Sequence, residues 1–129
     1  VIAVDTSAII AIIKHEADEV ELRAKLNASD GALISTGNML ELQLVSLTRA
    51  VGTKWSEIEE LLAAYKIVPR PFNEYQLRIA RGAAVQFGKG RHKAGLNYGD
   101  CFAYALAKSE NLPLLCKGED FAHTDLMLA

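Results

Sequence analysis

The chain has 129 residues, half of them apolar, and a formal charge of −2. That length fits a single domain, 1–129, with enough apolar mass for a real core. The near-balanced charge excludes a global basic field, so any nucleic-acid surface must be local.

The longest uninterrupted apolar run, Ala8 to Ile13, is far short of the roughly 18 residues a membrane span needs. No basic leader precedes the first apolar stretch, and a soluble, cytoplasmic protein is the expectation. Cys101 and Cys116 both lie in apolar stretches without metal-ligand spacing, which reads as two reduced thiols.

Val1 to Val4 reads as a short buried strand ended by Asp5. Thr6 to Lys14 and Asp18 to Ala28 read as helices, and Ala32 to Ile34 as a second strand. Ser35-Thr36-Gly37-Asn38 reads as turn and cap chemistry before a helix over Met39 to Val51, carried by Leu40, Leu44, Leu47 and Val51 and closed by Gly52. Ser56 with Glu59 has capping-box spacing for a helix bearing Ile58, Leu61, Leu62 and Tyr65. Lys66 to Pro69 reads as a strand, Asn73 to Phe87 as a helix, and Gly88 to Gly95 (GKGRHKAG) as the one obvious loop. Asp100 to Ser109 is helical, Leu112 to Cys116 a strand, Lys117 to Asp120 a turn, and Leu126 to Leu128 a last edge strand.

Short apolar strands alternating with helices predict an α/β domain with a mainly parallel sheet. Sites in such sheets form beyond the carboxyl ends of the strands. Asp5, Glu41, Asp100 and Asp120 all fall at strand ends or first helical turns. Singly, each has a structural explanation: a cap for Asp5, a capping box of Asn38 with Glu41, a helix-dipole partner in Asp100, and a solvated turn at Glu119 and Asp120. Together they would meet at one sheet edge. Carboxylates crowded in that way stay ionised only around positive charge, and a hard divalent cation is the usual answer.

The wording around these acids is more specific than their spacing. VDTSAI with Asp5, TGNMLE ending on Glu41, NYGDCFAYALAK with Asp100 and LLCKGEDFAHTD with Asp120 resemble the PIN-domain family. More narrowly, they resemble its VapC-type toxin ribonucleases from bacterial toxin–antitoxin pairs. The resemblance covers nearly the whole chain. It implies a three-layer α/β/α sandwich whose acidic cluster binds Mg2+ or Mn2+ and hydrolyses RNA. Asp5, Glu41 and Asp100 match the family's metal-binding acids, and Asp120 is the best match for the fourth. Where the broader family often has a threonine two positions before the last acid, this chain has Lys117-Gly118-Glu119-Asp120. Glu119, Asp120 and Asp125 therefore compete for that role. Thr6 and Ser7 occupy positions expected to support the first acid.

Lys89, Arg91 and Lys93, with His92 among them, supply the positive charge an RNA backbone needs, and Arg70 and Lys117 are further candidates. Phe102 and Tyr104 read as packing residues, and Trp55 as a packing or partner contact. The resemblance also implies a cognate antitoxin and a homodimer. Two other classes compete. An aspartyl phosphatase would want a second aspartate where Ser7 stands, and a receiver-like module would want paired acids at the first strand end.

Overall fold

The computed structural model describes Val1–Ala129. Strand β1 (Ile2–Val4) lies at the middle of the molecule, and its three side chains divide strictly by period two. Ile2 and Val4 face one hydrophobic cluster and Ala3 the other. Strands β2 (Ala32–Ser35), β3 (Ile67–Arg70) and β4 (Leu114–Leu115) complete a sheet of order β3-β2-β1-β4. Every pairing is parallel, with Ile2 opposite Ala32, Ala3 opposite Leu114, and Ala32 opposite Ile67. Such strands are covered on both faces, which is why the central ones are short, apolar and non-alternating. Pro69 is tolerated because β3 is an edge.

Helices α1 (Thr6–Ile13), α2 (Glu19–Ala28), α3 (Thr36–Ser46) and α4 (Trp55–Ala64) contribute to the first cluster, around Ile9, Ile12, Leu22, Leu42 and Ile58. Helices α5 (Glu74–Phe87) and α6 (Tyr98–Glu110) build the second, around Ala83, Phe87, Ala103 and Leu106. The three layers expected from the sequence are therefore present, and the sheet is parallel throughout. Alanines at 80, 83, 103 and 107 are buried and let α5, α6 and the sheet approach closely.

The chain moves from β1 outward through β2 to β3, then crosses back to place β4 on the other side of β1. The gap between β1 and β4 is thus the point where strand order reverses, and its carboxyl end is where a crevice forms. Asp5 ends β1 there.

Several local expectations shift. Helix α3 starts at Thr36, not Met39, because Ser35 Oγ accepts from Gly37 N at 3.2 Å and caps it. It ends at Ser46, not Val51. Ser46 and Thr48 hydroxyls donate back to the carbonyls of Gln43 and Val45, both at 2.7 Å, and compete with the ladder. Glu41 consequently stands in the second turn of α3. Ser56 and Glu59 form no capping box: α4 begins at Trp55, and Glu59 instead accepts from the Trp55 indole at 2.8 Å. A true capping box opens α6, where Asn97 and Asp100 bond each other's backbone. The expected edge strand over Leu126 to Leu128 is a single parallel bridge, Leu114 to Leu128. A short 3-10 turn, Asp120–His123, follows β4.

Ile34 is fully buried in the centre of β2. Ile34→Ala should cost about 2–5 kcal/mol, as large-to-small core changes do. Urea unfolding, with the midpoint read against an unchanged slope, checks this.

Candidate active site

Asp5 is only 3 % exposed, at the junction of β1 and α1. It caps α1 by accepting from Ser7 N at 3.0 Å. Its backbone N–H is spent on Leu115 O of β4 at 2.9 Å, so the carboxylate is pinned at the strand-order reversal. Burial pushes its carboxyl up to about 7. The Ser7 hydroxyl and N–H oppose that rise, while Asp100 and Glu41 add to it. Ser7 Oγ also accepts from Lys117 N at 3.0 Å, which ties the turn after β4 to the start of α1.

Asp100 is the third residue of α6. Its Oδ2 accepts from Asn97 N at 3.0 Å, and its own N–H bonds Asn97 Oδ1 at 2.9 Å. Burial raises its carboxyl too; the Asn97 bond opposes this, and Asp120 and Glu41 reinforce it. Glu41 reaches across from α3. Its carboxylate lies against Gly99 so closely that a Cβ there would collide with both carboxylate oxygens. At Gly37 the same is true of the Phe102 ring. The missing side chains at 37 and 99 are what let α3 and α6 close on each other.

At one sheet edge Asp100 and Glu41 thus act on Asp5, and Glu41 and Asp120 act on Asp100. Cys116, which follows β4, senses the same group. Burial, then Asp5 and Asp100, push its thiol up to about 12, with Asp120 adding to the rise. As the side chains stand, no three carboxylates, thiols or imidazoles converge closely enough to hold an ion. Ionised carboxylates so placed repel, and a shared cation is what would draw them in.

The three competitors for the fourth acid differ in surroundings. Asp125 is engaged elsewhere, accepting from Tyr104 Oη at 2.6 Å and Lys108 Nζ at 2.7 Å. Partial burial alone would raise its carboxyl, but these two bonds outweigh it and hold the group below the usual range. Glu119 is exposed and its side chain caps nothing. Asp120 is exposed at the start of the 3-10 turn and acts on Asp100.

The loop Gly88–Gly95 is more constrained than its glycines suggest. Leu96 N bonds Phe87 O at 2.9 Å, and Lys89 N bonds Leu96 O at 3.0 Å. His92 turns inward: its ring packs edge-on against Phe87 and its Nδ1 accepts from Ala94 N at 3.0 Å. It is a strut of the loop. Lys89, Arg91 and Lys93 are exposed. Arg70 pairs with Glu110 and Lys117 with Glu16, so those two are not free.

Arg78 and Arg81, on the exposed side of α5, are cations the motif reading passed over. The signal was present. Between Glu74 and Asp100 the chain carries five cations and no carboxylate. None of the five is in an ion pair.

Residues 2–126 match the family model described as PIN domain. Ribonuclease VapC30 of Mycobacterium tuberculosis is 42 % identical over 123 residues, covering 95 % of this chain and 94 % of its own. Ribonuclease VapC of Mycolicibacterium smegmatis is 40 % identical, covering 95 % of both. Among solved structures, the sarcin-ricin-loop-cleaving toxin VapC20 of M. tuberculosis superposes with a TM-score of 0.78 at 12 % identity, over 100 % of this chain and 98 % of its own. VapBC2 of Rickettsia felis, bound to a DNA fragment from its promoter, gives 0.74 at 18 % identity, over 98 % and 96 %. These two likenesses show the fold.

The raised Asp5 pKa carries a stability consequence. The native state holds this proton up to about pH 7, whereas the unfolded chain releases it near 3.8. Metal-free protein therefore loses stability as pH rises between those values. Asp5→Asn keeps the cap but not the charge. It should match the parent near pH 4 and exceed it by as much as about 4 kcal/mol above pH 7. Urea unfolding in chelator at pH 4 and pH 8 measures the difference.

Proposed function

The chain belongs to the PIN-domain family, and on that premise we propose that it is a divalent-metal-dependent endoribonuclease, the toxin of a toxin–antitoxin pair. The observation that carries the site assignment is the gathering of buried carboxyls at one strand end: burial chiefly, and Glu41 with it, raises both Asp5 and Asp100. A phosphatase reading finds no second carboxylate two residues after Asp5, where Ser7 stands, and a receiver reading finds no paired acid there.

The donor set suits a hard cation, since it is all oxygen and includes a buried carboxylate that is costly to ionise alone. Asp5, Glu41 and Asp100 would hold Mg2+ or Mn2+, with Asp120 as the fourth acid. When bound, such an ion supplies Lewis acidity toward a phosphodiester oxygen and lowers the pKa of water. The protein's own groups do the rest. Ser7 holds Asp5 through its N–H. Asn97 fixes Asp100 through reciprocal bonds. Asp120, exposed beside them, is suited to orient the attacking water and accept its proton at a carboxylate oxygen.

Lys89, Arg91 and Lys93 would neutralise substrate phosphates, with Arg78 and Arg81 continuing the track along α5. The antitoxin is the protein partner. Exposed Leu40, Leu44 and Leu77 with Tyr98 form apolar surface suited to a homodimer. No helix is long and apolar enough to cross a membrane. A cellular-RNA substrate implies the cytoplasm as the working compartment.

Cleavage of total RNA should stop in EDTA and return with added Mg2+ or Mn2+. Asp5→Asn and Asp100→Asn should each abolish cutting while leaving the circular dichroism spectrum intact. Parent-rate cutting by both variants would overturn the site. For substrate contact, RNA binding is measured on the inactive Asp100→Asn background. Replacing Lys89, Arg91 and Lys93 with alanine should flatten the slope of log affinity against log salt by roughly two to three. An unchanged slope would remove the loop from the interface.

A further inference from the structure

Asn38 is a wholly buried polar residue. Its Nδ2 donates to Glu41 Oε1 at 3.1 Å and to the Gly99 carbonyl at 3.0 Å. A primary amide has two N–H donors, and both are spent here. That pairing fixes the amide's orientation, because the flipped form would set oxygen against two acceptors. The amide oxygen is left buried and without a partner. Leaving such an atom unsatisfied is costly, and a leucine of similar shape would avoid the cost. Filling space therefore does not explain the residue, whereas its two donors do.

What those donors grip is specific. Asn38 and Glu41 lie three residues apart on one face of α3. The Gly99 carbonyl belongs to the peptide group whose N–H is that of Asp100. Asn97 Oδ1 takes that N–H at 2.9 Å while Asn38 takes the carbonyl. One peptide at the mouth of α6 is thus held from both sides, and Glu41 is tied to the same clamp. Gly99 completes it, since no Cβ could stand beside the Glu41 carboxylate.

We propose that Asn38 is a positioning residue. It sets the separation of the Glu41 and Asp100 carboxylates and leaves Glu41 Oε2 free to meet a divalent cation. This rests on the reading of Glu41 as a ligand. Partners that orient a metal ligand are worth about 10- to 100-fold in affinity.

The test is Mn2+ binding to RNA-free protein, read from the electron paramagnetic resonance signal of free Mn2+. Glu41→Gln, Asn38→Leu and the double variant are compared with the parent. Asn38→Ser, which keeps polarity but loses reach, is the second variant should the leucine fail to fold. Asn38→Leu and Asn38→Ser should each weaken Mn2+ binding by about tenfold or more. In the Glu41→Gln background the Asn38 change should add nothing beyond about twofold, because the two act as one unit. Parent-like Mn2+ affinity in a folded Asn38 variant, alongside weakened binding by Glu41→Gln, overturns the proposal. So does full multiplication of the two losses in the double variant. Unchanged binding by Glu41→Gln overturns the ligand role of Glu41 itself, a different failure.

Discussion

This edge of the sheet is arranged around one unfavourable fact: a carboxylate is buried at the end of the central strand. Asp5 follows three residues that are themselves buried, so it cannot move outward without breaking β1. The fold offers it the Ser7 N–H at 3.0 Å, with the Ser7 hydroxyl also opposing the rise, and together they do not offset the loss of water and the nearby acids. Ionising Asp5 therefore draws on the stability of the whole domain. A bound cation would turn that liability into affinity, since the ion would relieve a cost already built into the protein. The same tension between function and stability is common where catalytic groups are held in surroundings that do not suit them.

Bringing the other acids to Asp5 is a problem of distance. Helices normally stand 8–10 Å apart, and bulky side chains at the contact would hold their termini away. Here two glycines remove the obstacle. Gly37 makes room for Phe102 of α6, and Gly99 makes room for Glu41 of α3. The contacts are reciprocal, one glycine on each helix, so neither helix can shift without disturbing the other's insertion. The sheet thus fixes Asp5, and the α3–α6 contact fixes Glu41 and Asp100.

The architecture was readable in the sequence wherever local pattern and burial agree. Ile2 to Val4, Ala32 to Ile34 and Leu114 to Leu115 are apolar because both sheet faces are covered, and that shows without coordinates. The acids that end strands or open helices were visible as interruptions of those runs. What was not legible depended on partners distant in sequence. Asn38 looked like turn chemistry because the residue that explains it, Gly99, lies 61 positions away. Ser35 to Asn38 has composition equally suited to a loop and a helical first turn, and tertiary contact decided for the helix. The last acid was ambiguous for the same reason. Asp125 is the partner of Tyr104 and Lys108, and nothing in GEDFAHTD says so.

The formal charge of −2 conceals a strong asymmetry. Five of fourteen cations, and none of sixteen acids, lie between Glu74 and Asp100; the remainder holds nine cations against sixteen acids, a net −7. The molecule is therefore an electric dipole, with α5 and its loop as the positive pole. A polyanion approaching at random is repelled by most of the surface and attracted by one flank. The pull of that flank is carried through solvent, so it fades within about 10 Å at 0.1 M salt.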